Sequence, residues 1–99
     1  MDYIHIENNA ARIVKLLKSM ANERRLMILC SLKKGEKSVG ELEQIIGLSQ
    51  SALSQHLARL RHDNVVQTRR EAQTIYYSLA CDSLESVMDN FCNVTWLED

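Results

Sequence analysis

The sequence contains no proline and only three glycines among its 99 residues. Because these two residues punctuate loops and linkers, their scarcity favours one continuous domain of regular elements. No apolar run approaches the ~20 residues that span a bilayer, and residues 1–7 lack the basic region and apolar core of a signal peptide. We therefore expect a single cytoplasmic domain over 1–99 without a membrane partner, and its small core favours a homodimer.

The chain also lacks any C-x-x-C motif, because its cysteines Cys30, Cys81 and Cys92 lie far apart. This spacing argues against a zinc knuckle and against the disulfide framework of a secreted protein. No glycine-rich phosphate loop is present, and no motif places a base beside a cysteine. We therefore expect neither enzymatic activity nor a cofactor.

The chain has a net charge of only −1, but its basic and acidic residues are unevenly distributed along the sequence. Residues 21–40 carry five basic and two acidic side chains, giving +3, and residues 49–79 carry four basic and two acidic ones, giving +2. The five charged residues beyond Leu79 are all acidic. Such a distribution predicts a basic side suited to nucleic acid and an acidic far side.

Four helices are predicted in the first two thirds of the chain. Apolar residues recur at helical spacing over 9–20, and Asn22 is a typical N-cap for a second helix that ends near Gly35. Ser38, with a glutamate three residues later, has the spacing of a capping box, which predicts a third short helix that runs to Gly47.

The fourth helix begins after Ser49 and carries an apolar stripe of Leu53, Leu57 and Leu60. Its other side presents mostly small polar and basic side chains, which would let the backbone approach a DNA groove closely. Only two residues and the cap separate it from the third helix. This tight connection predicts a helix-turn-helix over about 39–62.

The hydrophobic period changes from helical to alternating after Asn64, which predicts a β-hairpin over about 65–79 with a short turn at Glu71 and Ala72. Asp82, with a glutamate three residues later, has the pattern of an N-cap for a last helix. The predicted fold is mainly α with a small β-hairpin, in the order α-α-α-α-β-β-α. A helix-turn-helix followed by a hairpin is a winged helix.

Four segments that cover most of the chain resemble the ArsR/SmtB family of winged-helix transcriptional repressors. They are 20–26 (MANERRL), 38–42 (SVGEL), 48–57 (LSQSALSQHL) and 69–77 (RREAQTIYY). Within that family the sequence is most similar to the sulfur- and redox-responsive subgroup of BigR, SqrR and HlyU. The resemblance implies a homodimeric repressor on a palindromic operator in double-stranded DNA. Apolar stripes left over on the first and last helices, about 9–20 and 83–96, suggest that these two helices form the dimer.

Five side chains on the fourth helix are predicted to contact DNA. In a major groove, Gln50 and Gln55 would offer a paired donor and acceptor to adenine, and Ser51 and Ser54 would reach base edges or phosphate. Arg59 would contact the backbone.

The resemblance implies that the hairpin is a wing whose Arg69, Arg70 and Gln73 touch phosphates or the minor groove. Two alternatives stay open. In the first alternative, the basic residues form an ordinary solvated face. In the second, the winged helix serves as a protein-interaction co-regulator.

The metal-binding patterns of the resembled family are absent. Where the family's Cys-x-Cys pair would lie on the third helix, this sequence has Glu41-Leu42-Glu43, and the predicted last helix contains no histidine. We therefore expect no metal site.

The resemblance implies instead that Cys30 is the first of two sensing cysteines. The second falls on Trp96, and the nearest thiol is Cys92, one helical turn or ~5.4 Å earlier. A bridge formed by reactive sulfur or oxidation would then release DNA. Alternatively, Cys30 is a small core residue and sensing has been lost. Cys81 is expected to be a bystander, although its place at a helix N-terminus also allows a reactive thiol.

Overall fold

The computed structural model describes residues 3–93, which form five helices and a three-stranded antiparallel sheet. The elements in chain order are α1 (Tyr3–Met20), α2 (Glu23–Lys33), β1 (Lys37–Ser38), α3 (Val39–Ile46), α4 (Gln50–His62), β2 (Val66–Glu71), β3 (Thr74–Leu79) and α5 (Asp82–Cys92). This order confirms the predicted winged helix-turn-helix and adds one strand, β1. Within the described part of the chain, no helix is both long and apolar enough to cross a membrane.

Side-chain caps fix the starts of α2 and α3 where the sequence predicted them. The Asn22 side chain accepts a hydrogen bond from the Arg25 backbone N–H at 3.0 Å. Ser38 and Glu41 form the reciprocal capping box, with distances of 3.2 Å from the Glu41 N–H to Ser38 Oγ and 3.0 Å from the Ser38 N–H to Glu41 Oε1. The bond from the Ser38 backbone also holds the pKa of Glu41 below its ordinary value.

The turn between α3 and α4 is as short as predicted. Gly47 ends α3 at φ 77°, a left-handed conformation that favours glycine, and its N–H donates to the Glu43 carbonyl at 2.9 Å. Ser49 then caps α4 by accepting from the Ala52 N–H at 3.3 Å. These two ends fix the angle at which α4 leaves α3.

The hairpin turn lies one residue later than predicted. Glu71 is still paired with Thr74, so the turn consists of Ala72 and Gln73, and Ala72 has a positive φ of 55°. The strand β1 pairs with the outer side of β3, which gives the sheet order β1-β3-β2. A strand of two residues is too short to show an alternating pattern, so the sequence did not predict it.

The predicted Asp82 cap of the last helix is wrong. Asp82 is the first helical residue, and the extended residue before it is Cys81, which makes no side-chain cap bond. The physical reason is that the Ala80 N–H donates to the Val65 carbonyl at 3.0 Å and prolongs the extended chain past β3. The described part of α5 ends at Cys92, and positions 94–96 of the predicted 83–96 helix lie outside the described residues.

One hydrophobic core joins α2, α3, α4, the sheet and α5. The Leu53, Leu57 and Leu60 stripe of α4 is buried in it, as predicted. The buried apolar side chains are Met20, Ile28, Leu29, Leu32, Leu42, Ile46, Leu53, Leu57, Leu60, Val65, Val66, Leu79, Leu84 and Met88. This packing holds the opposite side of α4 toward solvent.

Candidate functional site

All five predicted DNA-contacting side chains of α4 are exposed. Ser51 and Gln55 are four residues apart, so they stand one above the other along the side of the helix that faces away from the buried leucines. Burial of Leu53 and Leu57 fixes the rotation of α4 about its axis and therefore keeps this side outward. The result is a continuous polar helix face without a covering element among residues 3–93.

The structure brings α4 and the hairpin together around a groove of about 530 Å³. Gln50 and Ser54 line it from α4, and Gln73 lines it from the hairpin turn. A second groove of about 460 Å³ shares Ser54 and reaches Arg61 and His62 at the end of α4. Three predicted residues, two from α4 and one from the hairpin turn, thus line one groove.

Arg61 and His62 were not among the predicted contact residues, although both are exposed on α4. A usable signal was present, because Ser54, Ala58 and Arg61 follow the i, i+4, i+7 spacing of one helix face. Thr74 and Ser38, which line the first groove from the sheet and the start of α3, carried no such signal. Their placement depends on the pairing of distant strands.

Arg59 is exposed on α4 but already has an acidic partner. Its Nε donates to Asp63 Oδ2 at 2.7 Å, one helical turn away. This bond holds the pKa of the Asp63 carboxyl below its usual value. A backbone phosphate approaching Arg59 would therefore share the guanidinium with this carboxylate.

Arg69 on β2 is bound more extensively. Its Nε donates to both carboxylate oxygens of Glu36 at 3.0 and 2.9 Å, and its Nη2 donates to Glu36 Oε1 at 2.8 Å. Its Nη1 donates to Glu71 at 2.8 Å, and the guanidinium lies 4.5 Å from the centre of the Tyr76 ring. These bonds, those to Glu36 first, raise the pKa of Arg69 further. By contrast, Arg70 is exposed and forms no ion pair with any residue that the structure describes.

The two candidate sensing cysteines are joined by a disulfide. It connects Cys30 in α2 with Cys92 at the end of α5, with a Cα–Cα distance of 5.7 Å, and both residues are half-buried. Trp96, the position that the resemblance aligned with the second cysteine, lies outside the described residues. Cys81 is free and exposed.

The bridged helix α2 also donates side-chain hydrogen bonds to the ends of two other helices, α3 and α1. Arg24 Nη1 donates to the Ile46 carbonyl at the end of α3 at 3.3 Å. Arg25 Nε donates to the Ser19 carbonyl at the end of α1 at 2.6 Å. These two bonds connect α2 to the end of α3 and to the end of α1.

The described residues contain no cluster that fits a metal ion. Among residues 3–93, no three His, Cys, Asp or Glu side chains are grouped as potential ligands. That the protein has no metal site stays a prediction, which rests on the absence of the family's metal ligands from the sequence.

Comparison with known proteins places the chain in a family. Residues 22–68 match the family model described as bacterial regulatory protein, arsR family. The transcriptional activator HlyU of Vibrio cholerae is 54% identical over 89 residues, which are 90% of this chain and 82% of that protein. The chain belongs to the arsR family of bacterial regulatory proteins. The structure of reduced HlyU from V. cholerae superposes with a TM-score of 0.83 at 50% identity, covering 92% of this chain and 98% of that one.

Two further solved structures of regulators support the arsR-family fold. The transcriptional repressor BigR from Xylella fastidiosa is 38% identical with a TM-score of 0.84, covering 96% of this chain and 97% of that one. A homodimeric winged helix-turn-helix DNA-binding domain from Mycobacterium bovis is 27% identical with a TM-score of 0.79, covering 87% and 80%. HlyU and BigR are transcriptional regulators rather than enzymes, which confirms the non-enzymatic prediction.

Proposed function

We propose that this arsR-family regulator is a homodimer that binds a palindromic operator in double-stranded DNA and represses transcription. We further propose that oxidation of Cys30 and Cys92 by reactive sulfur or another oxidant releases it from DNA. The observation that carries DNA recognition is the exposed polar face of α4, held outward by its three buried leucines.

The proposed DNA surface has two parts. The face of α4 with Gln50, Ser51, Ser54 and Gln55 would enter the major groove, where amide side chains pair with the edge of adenine. The second part is the wing, where Arg70 is exposed and Gln73 lies beside the groove shared with α4. Arg59 and Arg69 would contact phosphates in competition with the carboxylates that they hold. The winged-helix DNA-binding domain among the relatives supports this use of the fold.

The proposed dimer interface is the apolar surface left uncovered on α1 and α5. Ile13, Leu17 and Phe91 expose 53%, 50% and 42% of their surface. A shallow apolar depression of about 140 Å³ lies between the two helices, lined by Leu17, Met20 and Phe91 among others. Large apolar side chains grouped in this way are typical of a subunit interface. The homodimeric relative supports the same assembly.

The observation that carries the redox signal is the Cys30–Cys92 disulfide. On oxidation the two thiols would lose two protons and two electrons to the oxidant, and the new bond would tie α2 to α5. Because α2 is also hydrogen-bonded to the ends of α1 and α3 through Arg25 and Arg24, the tie would change how the two reading helices of a dimer are spaced. HlyU from V. cholerae has been solved in a form described as reduced, which supports redox activity in a relative.

Repression is the proposed sign of regulation, although the relatives include both an activator and a repressor. Repression and activation would both follow from binding at a promoter. A bound protein represses when it blocks the polymerase, and it activates when it displaces a repressor. On this proposal the arrangement of the promoter, rather than this chain, determines which of the two results.

Fluorescence anisotropy with duplex DNA from the region upstream of the protein's own gene tests recognition. We expect the logarithm of the binding constant to fall linearly with the logarithm of salt concentration, because phosphate contacts release counterions. Gln55→Ala should cost about 1–3 kcal/mol of discrimination between operator and scrambled duplex. Gln44→Ala, which removes an exposed amide from α3 instead, is the matched control. Absence of salt-dependent DNA binding would favour the protein-interaction alternative.

A further inference from the structure

A pocket of about 380 Å³ lies directly beside the Cys30–Cys92 bridge. Both cysteines line it, so a small molecule in the pocket would lie beside the bridged pair. Three lysines, Lys33, Lys34 and Lys37, line the same pocket. They come from the end of α2 and from β1, which the chain folds back toward each other through the turn after α2.

The positive charge of this lysine rim is only partly neutralised. Lys33 pairs with Asp89 at 2.6 Å, whereas Lys34 is exposed and has no ion pair within the described structure. Glu36 lies between Lys34 and Lys37 in sequence, but its carboxylate is turned away to Arg69. Counted over the described residues, the rim therefore retains net positive charge next to Cys30 and Cys92.

The second nearby carboxylate, that of Glu41, is also engaged. It accepts the Ser38 backbone N–H at 3.0 Å in the capping box, although Lys37 is close enough to help lower its pKa. Among residues 3–93, the only hydrogen-bond acceptor of the Lys37 ammonium is the neutral Gly35 carbonyl at 3.3 Å. An anion entering the pocket would thus meet ammonium groups that have free donors.

We propose that the lysine rim is a docking site for small anionic disulfides, which are the oxidants that this pocket selects for the Cys30–Cys92 pair. The proposal rests on the redox part of the proposed function and adds the class of oxidant. A thiolate nucleophile repels an anionic reagent, and positive charge at the point of attack offsets that repulsion and raises the local concentration of the reagent. Neutral disulfides gain no such advantage.

The reaction balances in two exchange steps. One cysteine thiolate attacks a sulfur atom of the disulfide R–S–S–R, forms a mixed disulfide with the protein and expels RS⁻. The other cysteine loses its proton to water and attacks the protein sulfur of the mixed disulfide. It forms the Cys30–Cys92 bond and expels the second RS⁻. The two cysteines lose two electrons, which leave on the two RS⁻ ions.

The test compares two aryl disulfides of similar size and different charge. Dithiobis-nitrobenzoate carries two carboxylates, whereas dithiodipyridine is neutral near pH 7. The first releases an absorbing thiolate and the second an absorbing thiopyridone, and stopped-flow absorbance follows both. The full chain carries Cys81→Ser so that the exposed free thiol does not react. Lys34→Glu reverses one rim charge, and Lys18→Glu is the matched control, because Lys18 is an exposed lysine at the end of α1 that does not line the pocket.

We expect Lys34→Glu to slow the anionic reagent about tenfold relative to the neutral one, and Lys18→Glu to change that ratio less than about twofold. An unchanged ratio in Lys34→Glu, or an equal loss in Lys18→Glu, would overturn the docking site. Mass spectrometry locates the modified cysteines. Charge-selective reaction at Cys30 or Cys92 without any effect of the bridge on DNA binding would uphold the docking site while contradicting the proposed redox control.

Discussion

Arg69, a proposed DNA contact, shows how the charge of a wing residue is modified by its neighbours. The family resemblance implies that Arg69 touches phosphates or the minor groove, and the folded chain places Glu36 and Glu71 on its guanidinium and the Tyr76 ring beside it. A DNA phosphate at the proposed contact would compete with two carboxylates for the same N–H groups. Part of the wing's apparent positive charge is therefore already neutralised before DNA arrives.

Glu36→Gln should strengthen DNA binding. Removal of this negative charge leaves Glu71 as the acidic partner of Arg69 among the described residues and makes the Arg69 Nε and Nη2 groups available to a phosphate. We therefore expect the affinity to rise roughly threefold and the salt slope to steepen by up to about one unit. Anisotropy at several salt concentrations measures both. Glu23→Gln removes the same charge from an exposed position at the start of α2 and serves as the control. Equal gains in both variants would mean that only net charge matters.

Exposure of single residues on α4 could be predicted from the sequence because it depends on local spacing. The leucine stripe determines which side of a helix is buried, and that rule needs no knowledge of the partner elements. The partners of Arg69 could not be predicted in this way. Glu36 is 33 residues away along the chain and reaches Arg69 only because β1 joins the sheet.

Among the elements, the caps of α2, α3 and α4 were predictable because each cap is a short-range hydrogen bond between neighbours in sequence. The start of α5 was not. The pattern at Asp82 satisfies the same local rule, but the Ala80–Val65 backbone bond keeps the chain extended through Cys81. This tertiary contact thus determines that α5 begins at Asp82, with Cys81 rather than Asp82 as the N-cap residue.

Leu53→Ala should destabilise the fold by about 2–5 kcal/mol, because the side chain is fully buried and its loss leaves a cavity between α4 and the core. Urea denaturation followed by circular dichroism measures this loss. Gln44→Ala, on the exposed side of α3, should change stability by less than about 0.5 kcal/mol. A loss below ~1 kcal/mol for Leu53→Ala would contradict the role of the stripe in holding the reading helix.

At the scale of the whole molecule, the described residues form two apolar regions of different kinds. One is the buried core, and the other is the exposed surface of α1 and α5 that includes Leu17 and Phe91. The helical pattern predicts both stripes, because it shows more apolar surface than one small domain can bury. The sequence does not show which partner covers the second stripe, since that depends on another chain.

Phe91→Asp should give monomers, because it places a charge in the proposed interface. It should also weaken operator binding, because a palindrome is bound by two linked DNA-binding domains. Analytical ultracentrifugation gives the mass in solution, and anisotropy gives the affinity. Asn90→Asp introduces the same charge one residue earlier at an exposed position and is the control. Dimers that persist in Phe91→Asp would exclude this surface as the interface.

The pairing of Cys30 with Cys92 was the least predictable feature of the molecule. The resemblance placed the second cysteine at Trp96, and Cys92 lies one turn earlier in sequence. The packing of α5 against α2 brings Cys92 to a Cα–Cα distance of 5.7 Å from Cys30, and this packing could not be derived from the sequence. The distance lies within the range of natural disulfides.

Redox control of DNA binding by this bridge is the hypothesis on which the proposed function depends most. It is tested by operator anisotropy with reduced protein, with polysulfide-treated protein and with Cys92→Ser, all in the Cys81→Ser background. We predict that treatment releases DNA, that reduction restores binding and that Cys92→Ser stays bound. Tight binding in every state, with mass spectrometry showing the Cys30–Cys92 bridge formed, would contradict this mechanism and leave a DNA-binding regulator without redox control by the two cysteines.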